Sequence, residues 1–221
     1  MSRQSISSLS EVLAGGAGPD GRVTAAWLPR FARTRLTAWR RDRGNRARYG
    51  AEAPRFAERI WIDPHSLHHA VVGLSREDSG RVWEGAWPPP PGEIVPLMEL
   101  SKIRSAIEHF RDGVPWGETA HYRETKGVGK YADPAYWGRY EELYERVRRA
   151  GGLKTRPRVN PGNFRERGGI LVHIGPDGTL YHGDGGNRRL AVALALGLER
   201  VPAQVGWVAG DALGVLADLR E

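Results

Sequence analysis

Apolar residues in the last third of the chain form short runs that are separated by glycine-rich turns. The runs at 155–159, 169–174, 179–182 and 201–208 are typical of strands. The Gly-Pro-Asp-Gly composition of 175–178 predicts a hairpin between the second and third runs. An Ala/Leu-rich segment at 190–196 predicts a helix that Gly197 ends. The pattern therefore predicts a small module of strands and helices in this part of the chain.

The pattern upstream of this module is mainly helical. Apolar residues recur at helical spacing over 97–110 and again over 133–150. Asp133 and Pro134 suit the cap and the first turn of the second helix. A short apolar run at 60–63 predicts one further strand. We therefore expect an α+β fold: a small mixed sheet with flanking helices, plus a helical, aromatic-rich N-terminal elaboration.

The pattern divides the chain into three parts. We expect a flexible Ser/Gly-rich leader over 1–24, the helical elaboration with an insertion over 25–130, and the C-terminal module of strands and helices over 131–221. In the middle part, apolar residues between Trp27 and Trp39 recur at helical spacing. They predict a helix that runs into a flexible stretch at about 41–50.

The positive charge of the chain is concentrated on this predicted helix. The net charge is +7, and the segment 30–48 alone contains eight Arg and one acid, Asp42. One interpretation is that the segment docks to an anionic partner such as DNA, a membrane surface or an acidic protein. The other, which we favour, is an ordinary surface helix whose Trp and Phe side chains face the core.

Composition excludes several classes of function. The chain has no cysteine, which excludes disulfides, thiolate catalysis and cysteine-ligated metals. No apolar run reaches about 18 residues, so we expect no transmembrane segment and a cytoplasmic location.

His65 and His69 have the i, i+4 spacing of helical metal ligands, but no third ligand completes a set, and we interpret them as structural.

The strongest chemical signal is the turn between the third strand and the predicted C-terminal helix. It reads Gly185, Gly186, Asn187, Arg188 and Arg189. Glycines allow the backbone to turn sharply and to approach a ligand closely. The start of the helix directs free N–H groups and a positive dipole end at the same place, and arginines add charge-assisted bonds. The turn is therefore predicted to bind a phosphate group.

The stretch TLYHGDGGNRRLAVALALGLERVPAQV and the order of elements over 133–208 resemble the ParB/sulfiredoxin superfamily. In that superfamily a G-x-[RH]-R element opens a helix and binds nucleotide phosphates, and Gly186, Asn187, Arg188 and Arg189 match it. The resemblance implies a nucleoside di- or triphosphate ligand, with ATP expected, together with Mg²⁺. Asn187 stands where a sulfiredoxin needs cysteine, so sulfinic-acid reduction is excluded. The helix-turn-helix domain of partition proteins is not expected either.

Two functions are consistent with this resemblance. The first is nucleotide-dependent phosphoryl transfer to a small or lipid-like hydroxyl acceptor, with Asp184 as metal ligand and His182 as base. Residues proposed for the acceptor pocket are Trp116, Thr119, His121 and Tyr122, with Asp63 and Glu118 as remote carboxylate candidates. The alternative is a non-catalytic module in which the nucleotide switches binding of DNA, membrane or protein through the basic segment 30–48.

Overall fold

The computed structural model of the chain describes residues 29–220, and one mixed β-sheet organises that part. Its strands are β1 (Arg59–Ile62), β2 (His69–Val72), β3 (Arg81–Trp83), β4 (Glu93–Pro96), β5 (Ile170–Ile174), β6 (Leu180–His182) and β7 (Val201–Ala209). The helices are α1 (Arg30–Tyr49), α2 (Ser101–Asp112), α3 (Ala120–Thr125), α4 (Ala135–Ala150), α5 (Arg156–Val159), α6 (Asn187–Ala195) and α7 (Leu213–Asp218). No helix within 29–220 combines the length and the apolar character that a membrane span requires.

The sheet is built around β7, its longest strand in the described chain. The strand order is β1-β7-β5-β6-β2-β4. Strand β1 pairs antiparallel with the first half of β7, and β3 pairs parallel with its second half. Strands β5 and β6 form the predicted antiparallel hairpin, whereas β5 pairs parallel with β7 and β6 parallel with β2. A mixed sheet with flanking helices confirms the predicted α+β class.

Helices α2, α4 and α6 share one hydrophobic core with the sheet. The core includes Ile103 of α2, Tyr140 of α4, Leu190 of α6 and Ile170 of β5, each no more than 1% exposed. Burying such side chains contributes roughly 1.5–3 kcal/mol each to folding. Because α6 contacts both α2 and α4, its first turn lies beside residues from two other helices.

The strand predicted at 155–159 is wrong. Thr155 precedes the short helix α5, and Pro157 lies in the first turn of that helix. Proline has no N–H to give to a sheet ladder and has the φ angle that a first helical turn requires. The proline therefore favours a helical turn here over the strand that the apolar and β-branched residues of this segment predict.

The N-terminal part contributes more to the sheet than its sequence predicts. The predicted strand at 60–63 forms as β1, but β2, β3 and β4 were not predicted. All four strands belong to the same sheet as β5, β6 and β7. The predicted boundary between two parts of the chain at residue 131 therefore lies between β4 and β5, which belong to the same sheet.

Helix α1 corrects two predictions about the basic segment. It continues through Tyr49, so the stretch expected to be flexible at 41–50 is helical almost to its end. Phe31 and Trp39 are 70% and 60% exposed, so these side chains do not face the core as we favoured. Trp27 and the predicted leader over 1–24 lie outside the described residues.

Candidate phosphate-binding site

The glycine turn has the backbone conformation that its sequence predicts. Gly186 has a φ of +75°, and a Cβ atom there would lie 2.4 Å from the carbonyl oxygen of Gly169. Only glycine fits a positive φ and so close an approach without strain. Helix α6 begins at the next residue, Asn187, with no side chain hydrogen-bonded to its first N–H groups. The positive end of the helix is therefore left for another partner.

Four side chains hold the turn in place. Asn187 donates from its amide nitrogen to Asp184 Oδ1 at 2.9 Å, and its amide oxygen faces His182 Nε2. Lys102 Nζ donates to the same Asp184 oxygen at 2.5 Å. Arg76 donates to the backbone carbonyl of Asp184 at 3.0 Å. Residues from α2, from the β6–α6 turn and from the segment after β2 thus converge on one loop.

This arrangement assigns the protonation states of the two residues predicted to be catalytic. Since the Asn187 amide nitrogen donates to Asp184, its oxygen accepts, and His182 Nε2 carries the hydrogen. Burial lowers the pKa of His182 to about 4, so the ring is neutral. Burial alone would raise the pKa of Asp184, but the hydrogen bonds from Lys102 and Asn187 outweigh it and lower the pKa below the usual value.

A cleft of about 600 Å³ lies between α4 and the start of α6. Nine basic residues line it: Arg76, Lys102, Lys130, Arg139, Arg146, Lys154, Arg156, Arg188 and Arg189. Glu142 is the one acidic residue that lines it within the described chain. Tyr136 and Tyr140 form an aromatic part of the wall, and Leu143 and Val147 an apolar part. The cleft is therefore strongly positive and has room for a ring beside the charges.

The two arginines of the motif have different surroundings. The Arg188 guanidinium lies 5.8 Å from the centre of the Tyr136 ring and 5.7 Å from that of Tyr140, within the cleft. Arg189 is 6% exposed, donates to the Lys154 carbonyl at 2.7 Å and lies 3.9 Å from the buried carboxylate of Glu166. Burial lowers the pKa of Arg189 to about 10. Arg188 is free to bind a ligand, whereas Arg189 mainly supports the wall of the cleft.

The predicted acceptor pocket is not formed. Thr119 and His121 are 1% and 3% exposed, and Thr119 donates to the Trp116 carbonyl at 2.7 Å. Burial lowers the pKa of His121, which packs against Trp137. Tyr122 also packs against Trp137, and none of the four predicted residues lines the cleft. The aromatic spacing reflects a core cluster beneath α4.

The remaining predicted residues also lie away from the cleft. The Asp63 side chain accepts from the His65 N–H at 2.8 Å and caps a short 3-10 helix, Pro64–Ser66. Glu118 is exposed. His65 lies in that 3-10 helix and His69 begins β2, so the two histidines do not share a helical face.

The Mg²⁺ expected with a nucleotide stays a prediction, because the described residues neither form a metal site by themselves nor rule out a metal held mainly by phosphates. The described residues contain no group of three or more His, Asp or Glu side chains arranged around a common point. Asp184, the predicted metal ligand, accepts hydrogen bonds from both Lys102 and Asn187 on its Oδ1 atom. His182, the predicted base, is fully buried and does not reach the cleft. His182 is therefore not placed to act as a base on a ligand in the cleft, and the role of Asp184 as a metal ligand stays a prediction.

Most cleft residues lie outside the motif that predicted the site. Lys102, Arg139 and Arg146 come from helices whose charged positions are typical of a solvated surface. A weak signal was present, because Arg139 and Arg146 are seven residues apart and flank the apolar stripe of Tyr140, Leu143 and Val147. Cations beside the buried stripe of a helix face whatever packs against that helix.

No family model, curated protein or solved structure matches this chain. The likeness to the ParB/sulfiredoxin superfamily therefore stays a prediction from the motif and the order of elements. The chemistry of the cleft has to be argued from its own residues.

Proposed function

We propose that the chain binds a phosphorylated ligand, with a nucleotide expected, in the basic cleft between α4 and α6. The observation that carries the proposal is the charge of the lining, nine basic residues against one acidic residue. Such a concentration of cations around one concave surface raises the local concentration of anions and stabilises them when bound. The uncapped start of α6 at Gly186 and Asn187 opens on the same cleft.

Unsatisfied groups in the cleft support the proposal. Arg76, Lys130, Arg146, Lys154, Arg156 and Arg188 take part in none of the ion pairs within the described residues. The Nε atoms of Arg156 and Arg189 are buried and have no hydrogen-bond partner there. Buried donors are normally satisfied, and mutually repelling cations are stabilised by a shared anion. A ligand with two or more phosphate groups would supply both acceptors and negative charge.

The size and lining of the cleft favour a ligand larger than free phosphate. A volume of about 600 Å³ lies within the usual range for small-molecule pockets. Leu143 and Val159 offer aliphatic surface on which a ring can pack, beside the basic residues of the lining. A nucleoside di- or triphosphate combines an aromatic ring with a charged tail and so matches both parts.

The proposal is tested by thermal shift and calorimetry with ATP, ADP, CTP, GTP, pyrophosphate and adenosine, each with and without Mg²⁺. A ligand at a hundred times its dissociation constant adds about 2.7 kcal/mol of stability, a rise of roughly 5–10 °C in Tm. We expect pyrophosphate and the nucleotides to give shifts and adenosine to give little. Pyrophosphate alone separates recognition of phosphate from recognition of the base.

A matched pair of arginines on α4 controls for net charge. Arg146 lines the cleft, whereas Arg149 is exposed on the same helix and does not. We expect Arg146→Ala to weaken binding about ten-fold or more and Arg149→Ala to leave it unchanged. Equal affinities in the two variants, or no shift with any phosphorylated compound, would contradict the proposal.

A further inference from the structure

A second groove, of about 890 Å³, lies along the basic helix α1. It is bordered by α1 and by residues of the segments 51–58 and 164–165. Trp39 and Phe164 are its aromatic residues. None of its lining residues belongs to the cleft between α4 and α6. The two concave surfaces are thus separate.

The acids in this groove are already neutralised. Asp42 accepts from Arg165 at 2.7 Å. Glu58, whose side chain is 1% exposed, pairs with Arg55 at 3.0 Å and with Arg220 at 2.9 Å. These pairs tie α1 to the segment before β5, and the C-terminal region to the segment before β1. Both acidic side chains of the groove are therefore already paired and do not neutralise its other arginines.

Within residues 29–220, three arginines of α1 have no carboxylate partner. Arg35, Arg43 and Arg46 line the groove and take part in none of the ion pairs within residues 29–220. The N-terminal 28 residues contain two acids and two arginines, so they carry no net charge with which to balance these cations. The groove thus carries a local excess of positive charge that calls for an external anion.

The two aromatic side chains of the groove lie beside its arginines. The Trp39 side chain is exposed, and the guanidinium of Arg43 lies 5.8 Å from its ring centre. Phe164 has Arg35 at 5.8 Å and Arg165 at 5.0 Å from its ring centre. An exposed indole among unpaired arginines combines a stacking surface with charges for a phosphate backbone.

We propose that this groove binds single-stranded nucleic acid. A base stacks on the exposed ring of Trp39, and the backbone phosphates contact Arg35, Arg43 and Arg46. A single strand exposes base faces, which a duplex hides. The concave shape of the surface fits a strand better than a flat bilayer. An acidic peptide would match the charge but would leave the aromatic faces without a stacking partner.

The test is fluorescence anisotropy of the full chain with labelled oligothymidylate, with the same length of duplex, and across a salt series. We expect Trp39→Ala to weaken binding of the single strand by roughly five-fold to a hundred-fold, the effect of losing one stacked base, and Trp39→Phe to restore most of it. Arg43→Ala should weaken binding of all sequences and reduce the slope of log affinity against log salt by about 0.7 to 1. Phe31→Ala is the matched control, because Phe31 is exposed on the same helix but does not line the groove.

Four outcomes would overturn the proposal. One is an unchanged affinity of Trp39→Ala for the single strand. Another is equal or tighter binding of the duplex. A third is a loss of binding in Arg146→Ala but not in Trp39→Ala, which would place the nucleic acid in the other cleft. A fourth is Trp39-dependent binding to anionic phosphatidylserine vesicles without binding to oligonucleotide, which would identify a membrane surface instead.

Discussion

Lys102 Nζ lies 2.5 Å from Asp184 Oδ1 and joins helix α2 to the turn that precedes α6. The two residues are 82 positions apart in the chain. Asp184 also holds Asn187, the first residue of α6, and has a φ of +49°. The ion pair therefore helps to hold the start of α6 and the position of Lys102, one of the cations that line the basic cleft.

A double-mutant cycle of Lys102→Met and Asp184→Asn measures this pair. We expect a coupling free energy of about 0.5–1 kcal/mol at pH 7, because both side chains are partly exposed and solvent screens the pair. Asparagine tolerates a positive φ, so the backbone of the turn is preserved. Urea denaturation of the four proteins gives the value, and strict additivity would contradict the role assigned to the pair.

The same cycle has a defined pH dependence. The pKa of Asp184 is lowered below its usual 3.8 in the folded state, through the hydrogen bonds that outweigh burial. A carboxyl group whose pKa is lower in the folded than in the unfolded state stabilises the fold at every pH above its unfolded-state pKa. This stabilisation is lost as the pH falls through the folded-state pKa. The coupling measured at pH 7 should therefore persist at pH 5 and decline below about pH 4.

Replacing the two neighbouring arginines should separate binding from stability. Arg188→Ala removes a cleft cation that lies over two tyrosine rings, and we expect it to weaken ligand binding with a loss of stability of about 1 kcal/mol or less. Arg189→Ala leaves the buried carboxylate of Glu166 without its cation, and we expect a loss of about 3–5 kcal/mol. Denaturation curves and ligand titrations of both variants provide the comparison. Similar stabilities of the two variants would disprove the distinction.

Two glycines with left-handed backbones form another matched pair. At Gly197, with a φ of +63°, a Cβ atom would meet nothing within 4 Å. At Gly186 it would meet the carbonyl oxygen of Gly169 at 2.4 Å. We expect Gly197→Ala to cost about 1–2 kcal/mol from the backbone alone, and Gly186→Ala to cost more and to displace the start of α6. Calorimetric Tm values of the two variants would test this, and equal values would show that the turn relaxes freely.

Buried His182 predicts a loss of stability in mild acid. Its pKa is lowered by burial from 6.5 to about 4. The unfolded chain therefore binds more protons between these values, and the free energy of unfolding falls as pH decreases from about 6.5 to 4, by up to about 3 kcal/mol for this group. His182→Gln retains a donor for Asn187 but does not titrate, so its stability should change less across that range. Parallel curves for wild type and variant would contradict the assignment.

Local patterns were sufficient for part of the fold. The β5–β6 hairpin and the sharp turn at Gly186 follow from short-range turn chemistry, and the structure contains them. The helix predicted at 190–196 also forms, but it begins three residues earlier, at Asn187. Strands β2, β3 and β4 were missed because they are only three or four residues long in a segment rich in proline and glycine. Such short strands are stabilised by pairing with distant partners rather than by their own composition.

The candidate site also combines features that the sequence predicts with features that it does not. The motif names Arg188 and Arg189 together, and both line the cleft. Arg188 lies over two tyrosine rings, whereas Arg189 is nearly buried beside Glu166. Neighbouring residues on a helix point about 100° apart, and only the packing of α6 against α4 decides which side is open. The aromatic cluster around His121 was mistaken for a pocket for the same reason, since composition does not indicate whether rings face each other or a ligand.

The sequence by itself determined the turns at 175–178 and 183–186 and the helix that follows the second of them. These features depend on residues that are close in the chain, through backbone angles, missing Cβ atoms and helix capping. Tertiary structure alone decided that Lys102, Arg146 and Lys154 surround that helix start and that Trp39 lies exposed above a second groove. Packing brings together residues far apart in the chain, and no local pattern records which side chains will meet.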